Sequence, residues 1–151
     1  MRMGVIVREC YRKHLDNGGD SCSILEFADE ERRIYGKDVW AERVFDRIYG
    51  EVCIIDGCRS IEEVDSFRRF CDDIIIISIH ASPSIRFERL VSRGREDAPK
   101  SSQDFDSKDR KELEWGIGDI IALSDIMIIN ETDKRSLELN IKDVLEHLGL
   151  F

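Results

Sequence analysis

The octapeptide CIIDGCRS at residues 53–60 is the stretch that decides the fold class. A short apolar run ends there in a carboxylate, a glycine and an arginine, for which a buried strand has no structural use. Such residues are typical of the carboxyl end of a strand in a parallel α/β sheet, where ligands bind. Asp56 can hold a water molecule of Mg²⁺, Gly57 lets the backbone turn, and Arg59 offers a rigid fork of donors to phosphate. The alternative interpretation is an Asp-Gly turn followed by a surface arginine.

The rest of the chain alternates between two kinds of apolar pattern. Short runs rich in β-branched residues predict buried strands at 52–55, 74–79 and 126–129. Helical periodicity predicts helices at 28–48, 61–70, 83–92, about 105–124 and 134–148. Ser60 and Glu63 form a capping-box pattern, and Pro83 follows Ser82 in the favoured first-turn position. This alternation predicts one α/β domain, residues 1–151, with a mainly parallel sheet.

Composition limits the classes of function. The chain has 151 residues and a formal net charge of −9, so its surface is expected to repel nucleic acid and anionic membranes. It contains no apolar run near the roughly 20 residues that span a bilayer and no signal-peptide pattern, so we expect a cytoplasmic protein. The five cysteines lack CxxC pairs, which argues against structural zinc and against a disulfide framework.

Basic residues are nevertheless gathered in one segment. Arg86, Arg89 and Arg93 recur at helical spacing of three and four, so they share one helix face. The polar run 95–107, which contains Pro99, follows and is interpreted as a mobile excursion. The alternative interpretation of the arginines is a solvated helix face with weak local ion pairs.

Five segments in this order resemble an archaeal family of adenylate-kinase-like, dephospho-CoA-kinase-related P-loop proteins. They are MGVIVRE at 3–9, RIYGKDVWAERV at 33–44, IIDGCRSIEEVDSFRR at 54–69, IHASPSIRFERLVSRGRED at 79–97 and ELEWGIGDIIALSDIMIIN at 112–130. The resemblance implies a P-loop NTPase fold of the nucleoside monophosphate kinase type, a parallel sheet flanked by helices with a lid at about 95–107. It also implies phosphoryl transfer from ATP to a phosphorylated acceptor, such as AMP.

The same resemblance implies roles for individual residues. The acceptor phosphate would be bound by Arg8, Gly57 and Arg59. Asp56 would orient Mg²⁺ through water. The charge of the transferred phosphoryl group would be neutralised, as the lid closes, by Arg89, Arg93 and Arg110.

The chain departs from the family pattern in three ways. It contains no GxxxxGK[ST] phosphate loop, and Val5 stands where the family has an acidic residue. The first strand of the fold is also absent, which would leave the strands at 52–55 and 74–79 without the partner between them. We therefore expect a chain that rearranges, associates with another copy or is marginally stable.

Two explanations follow from these departures. The chain belongs to a kinase whose start lies upstream, or it is a non-catalytic module that binds a nucleotide or a partner. In either case we expect little or no kinase activity from these residues, so whether they form an enzyme stays open. A more distant alternative is a small-metabolite kinase of the phosphomevalonate type, because the arginine-rich and GIGD segments are similar.

Overall fold

The computed structural model describes residues 1–95 and 98–150 as a mixed α/β structure with a two-stranded parallel sheet flanked by helices. The chain divides into two compact units. The first comprises Met1–Ile74 with Trp115–Ile117, and the second comprises Ile75–Glu114 with Gly118–Phe151.

The first unit is mainly helical. Its helices are α1 (Met3–Asp16), α2 (Ile24–Tyr35), α3 (Val39–Glu42) and α4 (Ile61–Arg68), with a 3₁₀ turn at Phe45–Arg47. The sequence patterns do not predict α1. The long helix expected at 28–48 is wrong, because Gly36, with φ of 107°, ends α2.

Helix α4 begins where the Ser60 capping pattern predicts. The Ser60 hydroxyl accepts a hydrogen bond from the Glu63 backbone N–H at 3.2 Å, which caps the helix. Beneath α1 to α4 lies one apolar cluster in which Trp40 is 1% exposed. The buried members of this cluster are Met3, Ile6, Phe27, Ala28, Val39, Trp40, Ala41, Val44, Phe67 and Trp115.

The segment 52–55, expected to be a buried strand, is not a regular strand. Val52 and Ile54 are 60% and 66% exposed, and the segment ends in one isolated parallel bridge between Arg2 and Asp56. A strand exists through its ladder of backbone hydrogen bonds, and here the partner is limited to residues 1–3. The apolar run is therefore irregular chain rather than part of a sheet.

The second unit contains the sheet. Strand β1 (Ile77–His80) pairs in parallel with β2 (Ile126–Ile129), with Ile77 opposite Ile126. The Asp125 carboxylate accepts a hydrogen bond from the Ile76 N–H at 2.8 Å and so fixes the start of the ladder. The predicted strand at 126–129 is confirmed, while the one expected at 74–79 is shorter.

The later helices are α5 (Pro83–Arg93), α6 (Ser102–Trp115), α7 (Ile117–Ala122) and α8 (Lys134–His147). The helix expected at about 105–124 is interrupted by Gly116, whose φ is 108°. The expected excursion at 95–107 is helical from Ser102 onward, and its residues 96 and 97 lie outside the described part of the chain. Across the described residues, the longest apolar helical stretches fall short of what is needed to cross a bilayer.

Candidate functional site

The loop at Gly57 lies against the N-terminus of helix α1. The Met3 N–H donates to the Asp56 carbonyl at 2.9 Å, and the Asp56 N–H donates to the Met1 carbonyl at 2.8 Å. Gly57 has φ of 104°, a conformation that side chains other than glycine rarely adopt. A Cβ atom at Gly57 would lie 4.0 Å from the Gly4 backbone nitrogen. Loop and helix end are therefore in close contact.

Two guanidinium groups lie at this junction. The Arg59 Nη1 donates to the Gly57 carbonyl at 2.7 Å. The exposed Arg8 folds back along α1, so that a Cβ at Gly4 would lie 3.8 Å from its Nη2. Arg8, Gly57 and Arg59, the predicted acceptor-binding residues, are thus brought together around the start of α1. A helix N-terminus with two guanidiniums beside it offers the charge and the donors that a phosphate dianion requires.

Asp56, the predicted magnesium residue, lies at the edge of this junction. Its carboxylate is 73% exposed, and the Arg2 Nε lies 3.9 Å from it. In the described part of the chain, no three His, Cys, Asp or Glu side chains are grouped closely enough to hold a metal ion directly. A single exposed carboxylate suits Mg²⁺ that is held mainly by water and by substrate phosphates.

The junction is supported by a buried ion pair that the sequence did not reveal. The Glu63 carboxylate is fully buried, and it accepts hydrogen bonds from the Arg32 Nη2 and from the Arg59 backbone N–H, each at 2.6 Å. Arg32 also donates to the Lys37 carbonyl at 2.7 Å and lies over the Trp115 ring at 5.0 Å. Arg32 and Glu63 are 31 residues apart, so local spacing gives no signal for this pair.

In the second unit, the arginines on one face of α5 make different contacts. Arg86 makes a two-pronged ion pair with Asp109 of α6, with Nη2 to Oδ2 at 2.6 Å, and its Nε donates to the Ala81 carbonyl at 3.1 Å. The hydrogen bonds from Arg86 to this carboxylate raise the pKa of the guanidinium. Arg86 therefore joins two helices.

Arg89 and Arg93 line an open cleft of about 690 Å³ between α5 and the start of α8. Arg89 donates to the carbonyl of Asn130 at 2.8 Å and to that of Thr132, which fastens the loop after β2. Arg93 is exposed and makes no hydrogen bond or ion pair with the residues described. The lining also contains Lys134, which pairs with Glu138 at 3.3 Å, and the acidic residues Glu88 and Asp133. Among the three basic residues of the lining, Arg93 is therefore the one whose charge is available to an anionic ligand.

Arg110, the third predicted phosphate-neutralising arginine, is not brought to this cleft. It lies on the exposed surface of α6, without a hydrogen bond or ion pair to any described residue. Its predicted role stays a prediction.

No family model matches the chain. Individual archaeal proteins are similar to it. The UPF0200 protein of Thermoplasma volcanium is 39% identical over 140 residues, which cover 92% of this chain and 76% of that protein. The UPF0200 protein of Thermoplasma acidophilum is 34% identical over 96% of this chain and 80% of its own length. That of Thermococcus onnurineus is 44% identical over 100 residues, so the chain spans about half of its length, 54%.

Proposed function

The chain belongs to the archaeal UPF0200 protein family, and within that family we propose that it is a nucleotide-binding, kinase-like protein of the P-loop NTPase fold. The proposed reaction of the whole protein is phosphoryl transfer from ATP to a phosphorylated small molecule, with AMP as the simplest acceptor. Such transfer depends on positioning and charge neutralisation more than on covalent chemistry.

The observation that carries this proposal is the junction at the start of α1. Gly57 allows the loop to approach the Gly4 amide, and Arg8 and Arg59 place their guanidiniums beside these glycines. A terminal phosphate bound there gains two cations and the positive end of a 14-residue helix. This set of donors suits the acceptor phosphate of a monophosphate substrate.

The cleft of the second unit supports the donor half of the proposal. Arg93 supplies the positive charge for a ligand, while Lys134 pairs with Glu138 and Arg89 holds the loop that follows β2. We assign this cleft to the nucleoside triphosphate. At the junction of the first unit, Asp56 would contact a magnesium ion through water, and that ion would neutralise phosphate charge when bound.

The chain alone is expected to bind the acceptor better than it transfers phosphate. It has no GxxxxGK[ST] sequence, and that loop supplies most of the backbone donors and the lysine for the triphosphate. The same observation, with Val5 in the place of an acidic residue, favours a second candidate function. In that case the chain is a module that binds a nucleotide or another partner without catalysis.

Calorimetric titration with AMP tests the acceptor site. Arg59→Ala removes a guanidinium at the junction and should weaken AMP binding by about tenfold or more, the usual worth of a hydrogen bond to a charged group. Arg68→Ala is the matched control, because Arg68 lies at the far end of α4 in an exposed pair with Asp65. Arg8→Ala should also weaken binding, and Arg12→Ala, one turn later on α1, should not.

Two results would contradict the proposal. The acceptor site is wrong if AMP does not bind, or if Arg59→Ala and Arg68→Ala bind it equally well. If AMP does not bind, but Mg²⁺·ATP binds and Arg93→Ala weakens that binding, the chain binds a nucleotide without an acceptor. The second candidate function is then the better one.

A further inference from the structure

We propose that Glu63 is a positioning residue for the phosphate site, acting through the backbone of Arg59. The inference rests on the proposed function and deepens it. It assigns the buried Arg32–Glu63 pair to the organisation of the binding loop rather than to the helix cap alone.

The geometry gives Glu63 two separate partners. Its Oε2 accepts from the Arg59 N–H and its Oε1 accepts from the Arg32 Nη2, each at 2.6 Å. The side chain of Arg59 in turn reaches back to the Gly57 carbonyl at 2.7 Å. The turn from Gly57 to Arg59 is therefore fixed to the core through the carboxylate, and the guanidinium is held by that turn.

A helix cap does not require this arrangement. The Ser60 hydroxyl already accepts the Glu63 N–H, and glutamine serves as well as glutamate in a capping box. Between two donors, however, glutamine must present its NH₂ group to one of them, because only one of its two terminal atoms accepts. A buried carboxylate costs desolvation free energy, and the two short hydrogen bonds offset that cost. The need for acceptors on both sides explains why the position carries a charge.

Arg32 completes the support from the other side. Besides Glu63 it holds the Lys37 carbonyl at 2.7 Å, and the Ser60 hydroxyl donates to the same carbonyl at 3.4 Å. The turn after α2 and the start of α4 are thereby joined at one buried point. Displacement of Glu63 should loosen the loop rather than the helix.

Two variants and one control test this inference. Glu63→Gln keeps the shape of the side chain and removes one acceptor. The double variant Arg32→Met/Glu63→Leu replaces the pair by apolar groups that preserve folding if Glu63→Gln does not fold. Ser66→Ala is the control, since Ser66 is buried on the same helix but binds Asp38.

Two quantities are measured at a temperature where each variant is folded. The first is amide hydrogen exchange of Arg59, which is independent of any ligand. It should be faster by about tenfold in Glu63→Gln and in the double variant, and unchanged in Ser66→Ala. The second is the AMP dissociation constant, which should rise in the first two variants. The increase should vanish when Glu63→Gln is combined with Arg59→Ala, because the effect passes through Arg59.

Unchanged Arg59 exchange in both variants overturns the inference. An equal loss of AMP affinity in Ser66→Ala also overturns it, because general loosening of α4 would then be the cause. If the unmodified chain binds neither AMP nor inorganic phosphate, the proposed function is wrong, and the exchange measurement alone decides whether Glu63 holds the loop.

Discussion

Replacing Glu63 by leucine while Arg32 is kept should strongly destabilise the first unit. The two side chains are 0% and 7% exposed and are 2.6 Å apart, so the substitution leaves a guanidinium buried without its counter-ion. Removal of one partner from such a pair costs about 3–5 kcal/mol. Arg32→Met should cost a similar amount, because the carboxylate is then the uncompensated charge.

The double variant Arg32→Met/Glu63→Leu should be more stable than either single variant. Its apolar side chains need no desolvation, and the remaining loss is that of the hydrogen bonds to the Lys37 carbonyl and from the Arg59 N–H. Each group left without a partner costs about 1–3 kcal/mol. The free energy of unfolding lost in the double variant should therefore be smaller than the sum of the two single losses by more than about 2 kcal/mol.

Urea unfolding followed by tryptophan fluorescence is the appropriate assay. The chain has two tryptophans, Trp40 and Trp115, and both belong to the core of the first unit. Their emission therefore reports the unfolding of the unit that contains the ion pair. The reasoning would be refuted if the stability losses of the two single variants added up to that of the double variant, or if each loss were below about 1 kcal/mol. Such small losses are typical of solvent-exposed ion pairs.

Three further predictions concern the binding loop and the activity of the chain. Gly57→Ala should cost about 1–3 kcal/mol of stability and weaken AMP binding, because φ at this position is 104° and the new Cβ would lie 3.2 Å from the Arg59 Nη1. Gly94→Ala is the control for this titration. At Gly94 φ is 59° and no atom lies within 4 Å of the added Cβ, so AMP binding should be unchanged. Burial raises the pKa of the Cys58 thiol to about 12. At pH 8 iodoacetamide should therefore alkylate the exposed Cys53 much faster than Cys58. Equal alkylation rates of the two cysteines in mass spectrometry would contradict this prediction. In a coupled ATP–AMP assay the chain should show no phosphoryl transfer above background, and a clear rate would mean that another segment replaces the phosphate loop.

The sequence predicted elements well where the signal is local. Ser60 caps α4 as expected, and Pro83 starts α5, because the residues that define these helix ends lie within one turn of each other. The strand at 126–129 was found at its predicted position, where the apolar run is short and is flanked by a polar residue at each end. Gly36 was the signal for the break between α2 and α3, but the helical period continues past it and concealed the break.

Long-range pairing was the part that the sequence could not supply. The run at 52–55 has the composition of a strand, but a strand also requires a neighbour, and composition carries no information on the neighbour. Arg32 was likewise missed, because its partner Glu63 lies far along the chain. Resemblance to a family led to the prediction that Arg8, Gly57 and Arg59 bind the acceptor, whereas the convergence of these residues on the start of α1 became visible only in three dimensions.

The ion pair between Arg86 and Asp109 has a consequence for evolution of chain length. The loop that this pair closes joins residues 23 apart in sequence, and it consists of the last part of α5, the first part of α6 and the connection between them. The contact is two-pronged and partly buried. The entropy lost in closing such a loop grows only with the logarithm of its length, by roughly 0.6 kcal/mol for each doubling. The helices on either side can keep this contact while the connection between them gains or loses residues. Natural variation in the length of this segment should therefore be tolerated at little cost in stability.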